Sequence, residues 1–123
     1  TDLFDVMLAA TSGGLDKIEL QWDRRPALGV VMAAHGYPLS PRKGDLIQGL
    51  PGASDDSMVF HAGTASYVNE TVETVTTGGR VLCVTAMGTT VKEAQQRAYE
   101  VAQGITFAGA QMRTDIGHRA IKL

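Results

Sequence analysis

Cysteine is almost missing. Cys83 is the single one in 123 residues, so no disulfide can close within the chain, and its place in an apolar run suits a small buried hydrophobe in a protein of cytosolic origin. Aromatic residues amount to 6%, and Trp22, Tyr37, Tyr67 and Tyr99 fall too far apart to form a base-stacking stripe, so they read as packing residues. Neither sign of charge dominates: the net charge is −2, with no basic excess to draw the chain onto nucleic acid or an anionic membrane. The longest apolar run, residues 27–34, is far shorter than the ~20 residues of a membrane-spanning helix. The expectation is a soluble chain that engages neither nucleic acid nor membrane. It opens at Thr1 with neither an initiator methionine nor the basic and apolar regions of a signal peptide, which leaves two readings of its start, a processed product and an excised domain.

Local catalytic signatures are missing too. No Ser/His/Asp or Cys/His arrangement is recognisable, and Gly78-Gly79-Arg80 has the glycines of a phosphate loop without its Lys and Ser/Thr. His35, His61 and His118 have no ligand spacing and Cys83 has no second thiol, so a zinc site is rejected.

What is present fits one domain over residues 1–123. At 44% hydrophobic residues a chain of this length buries a core without staples. Leu3, Phe4, Met7 and Leu8 recur at helical spacing between a Thr1 or Asp2 cap and the Gly13-Gly14 stop, predicting a short amphipathic helix over 2–10. Residues 17–22 alternate as a half-buried strand does, whereas the continuous run 27–34 predicts a strand covered on both faces. Turn residues around 36–38 and 41–45 predict an exposed loop before Leu46-Ile47. Residues 58–60 and 72–76 are further strands, and Gly78-Gly79 is placed to turn 72–77 into 80–87 as an antiparallel hairpin at the centre of the fold. Thr90-Val91-Lys92-Glu93 is a capping box, and Val91, Ala94, Ala98, Val101, Ala102 and Ile105 form one apolar stripe up to Gly104. Residues 105–107 suggest a returning strand, and 113–119 a terminal loop or helical turn. Helix, several strands, helix and strand in that order predict an α+β fold with a mainly antiparallel sheet, an N-terminal helix and a packed helix near 90–104.

Two segments place arginine beside glycine turns, Gly78-Gly79-Arg80 and Arg113-Thr114-Asp115-Ile116-Gly117. Glycines at positive φ would bend the backbone and let the following arginine present its fork to a phosphate or carboxylate. The plainer reading, favoured on composition alone, is a hairpin turn with a solvated Arg80 and a structural Arg113–Asp115 ion pair. His61-Ala62-Gly63-Thr64 puts a ring and a hydroxyl beside a glycine, which suits substrate binding and a satisfied strand-end histidine equally.

Collinear motifs run through nearly the whole chain: Asp2-Leu3-Phe4-Asp5, Gly29 through Pro38, Lys43-Gly44-Asp45, Phe60-His61-Ala62-Gly63-Thr64, Gly78 through Thr85, Ala94, Ala98-Tyr99 and Arg113 through Gly117. Together they closely resemble the C-terminal domain of the phosphoribosylamine–glycine ligases, members of the ATP-grasp superfamily in bacterial purine biosynthesis. The resemblance implies an enzyme that joins glycine to 5-phosphoribosylamine with ATP and Mg²⁺ or Mn²⁺ through an acyl phosphate of glycine. It implies that the ATP-grasp and N-terminal domains precede Thr1 as partners, that the metal ligands lie there, and that this cytoplasmic fragment alone is inactive and binds no cofactor fully. It also implies that Gly79, Arg80 and Arg113 border the phosphoribosylamine, with His61, Gly63, Thr64 and Asp115 shaping the neighbouring loops, and with no catalytic or metal-binding residue in the fragment. His35, Leu39 and Thr114 depart from the residues common in that family, so no direct catalytic work is assigned to them. The reading of a different class is a stand-alone, non-catalytic domain that binds an anion or another protein.

Overall fold

The computed structural model describes residues 1–121 apart from Ala53 and Asn69. Its elements are α1 (Leu3–Thr11), β1 (Ala27–Ala33), β2 (Leu46–Ile47), β3 (Ser57–His61), β4 (Thr64–Val68), β5 (Val72–Thr76), β6 (Arg80–Met87), α2 (Val91–Gln103) and α3 (His118–Ile121). Two antiparallel three-stranded sheets form, one ordered β1-β6-β3 and the other β2-β5-β4. The fold class is α+β, as the order of segments predicts.

The core follows from the period-two alternation of strands. Leu28, Val30 and Met32 of β1 stand opposite Ala86, Val84 and Leu82 of β6, and all six are buried. Helix α2 lies on that face through Ala94, Ala98 and Ala102, each almost wholly excluded from solvent. Methyl-sized side chains let the helix backbone approach the sheet closely, and Ile47, Ile105 and Phe107 complete the core beside Leu82 and Val84. The capping box forms with a longer reach than the simple pattern. Thr90 Oγ1 accepts from the Glu93 N–H at 3.1 Å, while the Glu93 carboxylate accepts from the Thr89 N–H and hydroxyl at 2.6 Å each. Those bonds hold the Glu93 carboxyl below its usual range.

The expected central hairpin does not form. β5 is flanked by β2 and β4, and β6 by β1 and β3, so neither strand has an edge free for the other. Residues 77–79 cross from one sheet to the other. The hairpin of the second sheet is β4 with β5, closing from Thr64↔Thr76 to Val68↔Val72. Strand β1 is also covered on one face only. Val31 stands beside Cys83 and Phe60 on an open face, so Cys83 is half-buried rather than a core residue, its sulfur 3.7 Å from Thr85 Oγ1.

Residues 17–22 form no strand. After a 3-10 turn at Leu15–Lys17 the chain runs irregularly, and Gln21 is tied to Thr1 instead of a strand edge: its N–H donates to Thr1 Oγ1 at 2.6 Å and its carbonyl accepts from the Thr1 ammonium at 3.0 Å. Residues 105–107 make one bridge, Thr106 with Gln48, not a strand. Helix α1 forms with Asp2 as its cap, the carboxylate accepting from the Phe4 N–H at 2.8 Å. Its apolar side is uncovered, with Leu3, Phe4, Met7 and Leu8 all more than half exposed.

A chain of ion pairs joins the loop before β1 to α2. Arg25 bonds both Asp23 and Asp56 at 2.8 Å, Asp56 faces Arg97 at 3.6 Å, and Arg97 meets Glu93 at 2.8 Å. The Arg25 hydrogen bonds pull the Asp23 carboxyl from its ordinary 3.8 down to about 2. A depressed carboxylate adds stability in full above its unfolded pKa and loses it as pH falls through the folded one. Thermal melts between about pH 4 and about pH 2 should therefore show a falling Tm, and Asp23→Asn should flatten that slope; an unchanged slope contradicts the pairing. In the core, Leu82→Ala should cost about 2–5 kcal/mol by urea denaturation.

Candidate functional site

The two crossovers between the sheets, residues 62–63 and 77–79, are pressed together, and this contact builds the site. Ala62 and Gly63 both donate N–H bonds to the Val81 carbonyl at 3.0 and 3.1 Å, and the Thr77 N–H donates to the Gly63 carbonyl at 2.8 Å. A Cβ on Gly63 would lie 2.6 Å from the Arg80 carbonyl oxygen and 2.9 Å from Gly78 Cα, so backbone passes where a side chain would stand.

Gly79 is glycine for a different reason from the one its sequence suggests. Neither Gly78 nor Gly79 has positive φ. A Cβ at Gly79 would fall 2.4 Å from Cδ2 of Tyr37, whose ring covers that spot, while the Gly79 carbonyl accepts from the Ala34 N–H at 2.8 Å.

Arg80 opens β6 opposite Ala33 with its side chain exposed. No ion pair among the described residues engages it. It stands between two grooves. One, of about 620 Å³, is bordered by Tyr37, Pro41, Gly63, Gly79 and Arg80. The other, of about 410 Å³, is bordered by Val31, Tyr37, Arg80, Gln111 and Arg113. Arginines 33 positions apart in sequence thus share one groove, with an aromatic ring on its wall.

Arg113 is held differently. Its Nε and Nη2 donate to Asp115 Oδ1 and Oδ2 at 2.8 and 2.7 Å, a two-point fork. The fork lowers the Asp115 carboxyl and raises the Arg113 guanidinium from their ordinary ranges. Asp115 borders neither groove and acts on the site through Arg113. His61 and Thr64 bond each other, Nδ1 to Oγ1 at 3.0 Å, and also border neither groove. Of the seven residues singled out in the sequence, Gly63, Gly79, Arg80 and Arg113 meet at the grooves. Tyr37 and Gln111 join them unforeseen. Tyr37 carries a local signal, an aromatic ring set between Gly36 and Pro38 in a loop. Gln111 carries none: its place comes from the bridge with Ala33 and from its amide donating to the Ala34 carbonyl at 2.9 Å.

This geometry supplies a guanidinium with no ion-pair partner among the described residues, a second one clamped by a carboxylate, and an aromatic wall, which together suit an anionic small molecule. Among the described residues no three or more His, Cys, Asp or Glu gather to hold a metal ion.

The chain is similar to known proteins in sequence and fold. A family model described as "Phosphoribosylglycinamide synthetase, C domain" matches residues 27–119. The chain belongs to the phosphoribosylglycinamide synthetase C-domain family. It is 57% identical over 122 residues to the phosphoribosylamine–glycine ligase of Ralstonia nicotianae, covering 99% of this chain and 28% of that protein. It is 54% identical over 122 residues to the enzyme of the same name from Yersinia pestis, covering 98% of this chain and 28% of that one. A crystal structure of phosphoribosylamine–glycine ligase from Thermotoga maritima matches with a TM-score of 0.71 at 37% identity, over 89% of this chain and 27% of that chain. The chain therefore spans a little over a quarter of the length of these relatives. The C-domain match starts at the first residue of β1, so α1 and the irregular segment after it lie before the family domain, although the relatives match them too.

Within the C domain, Gly79→Ala should displace the Tyr37 ring. The expected outcome is a loss of about 1–3 kcal/mol by urea denaturation and altered Tyr37 ring signals by NMR. Wild-type stability with unmoved ring signals would contradict the contact.

Proposed function

We propose that this chain is the C-terminal part of an ATP-dependent ligase that joins glycine to 5-phosphoribosylamine, forming glycinamide ribonucleotide in purine biosynthesis. In this reading the C domain supplies the side of the active site that meets the phosphoribosyl group. The observation that carries it is Arg80, a guanidinium with no carboxylate partner among the described residues, placed where two grooves meet and across one of them from Arg113. A phosphate dianion is the natural occupant for an unpaired fork, because charge-assisted bonds to guanidinium are roughly twice as strong as neutral ones. Tyr37 would back the sugar, while Gly63 and Gly79 keep Cβ atoms out of the groove floor.

ATP and Mg²⁺ or Mn²⁺ are assigned in this proposal to the domains preceding the chain, and the isolated chain is expected to be inactive. The exposed apolar side of α1 supports such a neighbour: Leu3, Phe4, Met7 and Leu8 are each more than half exposed, and the relatives carry about three quarters of their length outside the match. Burying such side chains is worth about 1.5–3 kcal/mol each. The proposed compartment is the cytoplasm. No helix among the described residues is long and apolar enough to cross a membrane.

The test is an assay of the longer polypeptide for glycine- and phosphoribosylamine-dependent ADP release. Arg80→Ala should raise the KM for phosphoribosylamine by roughly 10–100-fold, the loss expected for a hydrogen-bonded charged contact, and leave the KM for ATP near wild type. An unchanged phosphoribosylamine KM removes Arg80 from the site.

A further inference from the structure

Arg113 sits on a loop, and a loop arginine that is 72% exposed gains little from solvent-facing ion pairing alone. His118 of α3 bonds the Asp115 carbonyl, its N–H donating at 3.2 Å and its ring Nδ1 standing 2.8 Å away, and two residues of α2 hold the rest of that loop. Tyr99 Oη donates to the Arg113 carbonyl at 2.7 Å and accepts from the Ile116 N–H at 3.1 Å. One helical turn earlier, the Gln95 side-chain amide donates to the Ile116 carbonyl at 2.8 Å. Three backbone groups of residues 113–116 are thus satisfied by two side chains on one face of a helix whose other face is locked to the sheet. The loop is then closed at Gly117, with φ at +84° and the Leu28 methyl only 2.4 Å from where a Cβ would stand. Between these anchors the Asp115 carboxylate turns the guanidinium by its fork, leaving Nη1 without a partner among the described residues.

We propose that Tyr99, with Gln95, is a positioning residue that fixes the loop 113–116, so that Arg113 presents its unengaged edge to the phosphoribosyl phosphate. The assignment rests on the proposed ligase reading. Tyr99 touches no substrate in it. Removing the hydroxyl orphans one carbonyl and one N–H at once, which frees the loop and spreads the guanidinium over many positions.

The test compares four variants of the full-length ligase in the ADP-release assay: Tyr99→Phe, Gln95→Ala, Arg113→Ala and the Tyr99→Phe/Arg113→Ala pair. Tyr99→Phe should raise the KM for phosphoribosylamine about tenfold, with kcat and the KM values for glycine and ATP within about twofold of wild type. Gln95→Ala should act in the same direction with a smaller effect. The double variant should be no worse than Arg113→Ala alone, since a positioning residue has nothing left to position. Additive losses in the double variant, or a fall in kcat with all three KM values moved, mean a general structural role and overturn the assignment. A wild-type KM for Tyr99→Phe beside a raised KM for Arg113→Ala overturns the assignment alone and leaves the ligase reading standing. A silent Arg113→Ala removes Arg113 from the site and the assignment with it. A Tyr99→Phe protein that fails to fold transfers the decision to Gln95→Ala, whose wild-type KM then counts against the proposal.

Discussion

Strand β6 has both edges paired and one face filled, and every other placement in the molecule yields to that. With β1 on one side, β3 on the other and α2 across its buried face, it has no capacity left for β5. The chain leaving β5 must therefore cross between sheets within residues 77–79. The crossing brings the start of β6 against the turn at residues 62–63, and Arg80 emerges at the rim instead of inside a hairpin. The position of the free guanidinium is thus set by hydrogen bonding in the sheet, whose buried N–H and C=O groups must all find partners.

How far the amino-acid pattern reveals this depends on the range of the interaction. Helix α2 was readable because its signals are local: a cap at Thr90, a carboxylate at Glu93 and alanines four residues apart. The strands at β1, β3, β5 and β6 were readable from composition and alternation. Pairing was not, because Val72–Thr76 and Arg80–Met87 look alike to any hairpin argument, and only distant strands decide which edges are free. The run in β1 misled for a related reason. Continuous apolar residues signal burial on both faces, yet Gly29 and Val31 face outward here, over a sheet surface that no element among the described residues covers. Residues 17–22 alternated correctly and still made no strand, since alternation without an available edge leaves backbone groups unpaired.

The site shows the same division. Glycine was read through its freedom in φ, which is a property of one residue, but Gly79 answers to the ring of Tyr37 some forty positions earlier, and Gly63 answers to the backbone of Gly78 and Arg80. Such glycines look identical in sequence and differ only in three dimensions. Collinear motifs reached past this limit: they brought residues 63, 79, 80 and 113 under one family pattern without any knowledge of the contacts that join them.

The two arginines are chemically unequal, and that inequality gives the groove a direction. Arg113 and Asp115 together carry no net charge, and an exposed pair of this kind adds little to stability. Orientation is therefore the stronger account of the fork: a planar group gripped along one edge can offer only its other edge, and long-range attraction falls to Arg80. In the proposed reading, an anion entering the groove would be drawn by Arg80, which has no ion-pair partner among the described residues, and aligned by Arg113, already fixed in the plane of its carboxylate. Two free arginines would attract more strongly, but they would repel each other and hold no set angle. In that reading the fork would exchange some of that attraction for geometry, which is what a ligand about to react requires.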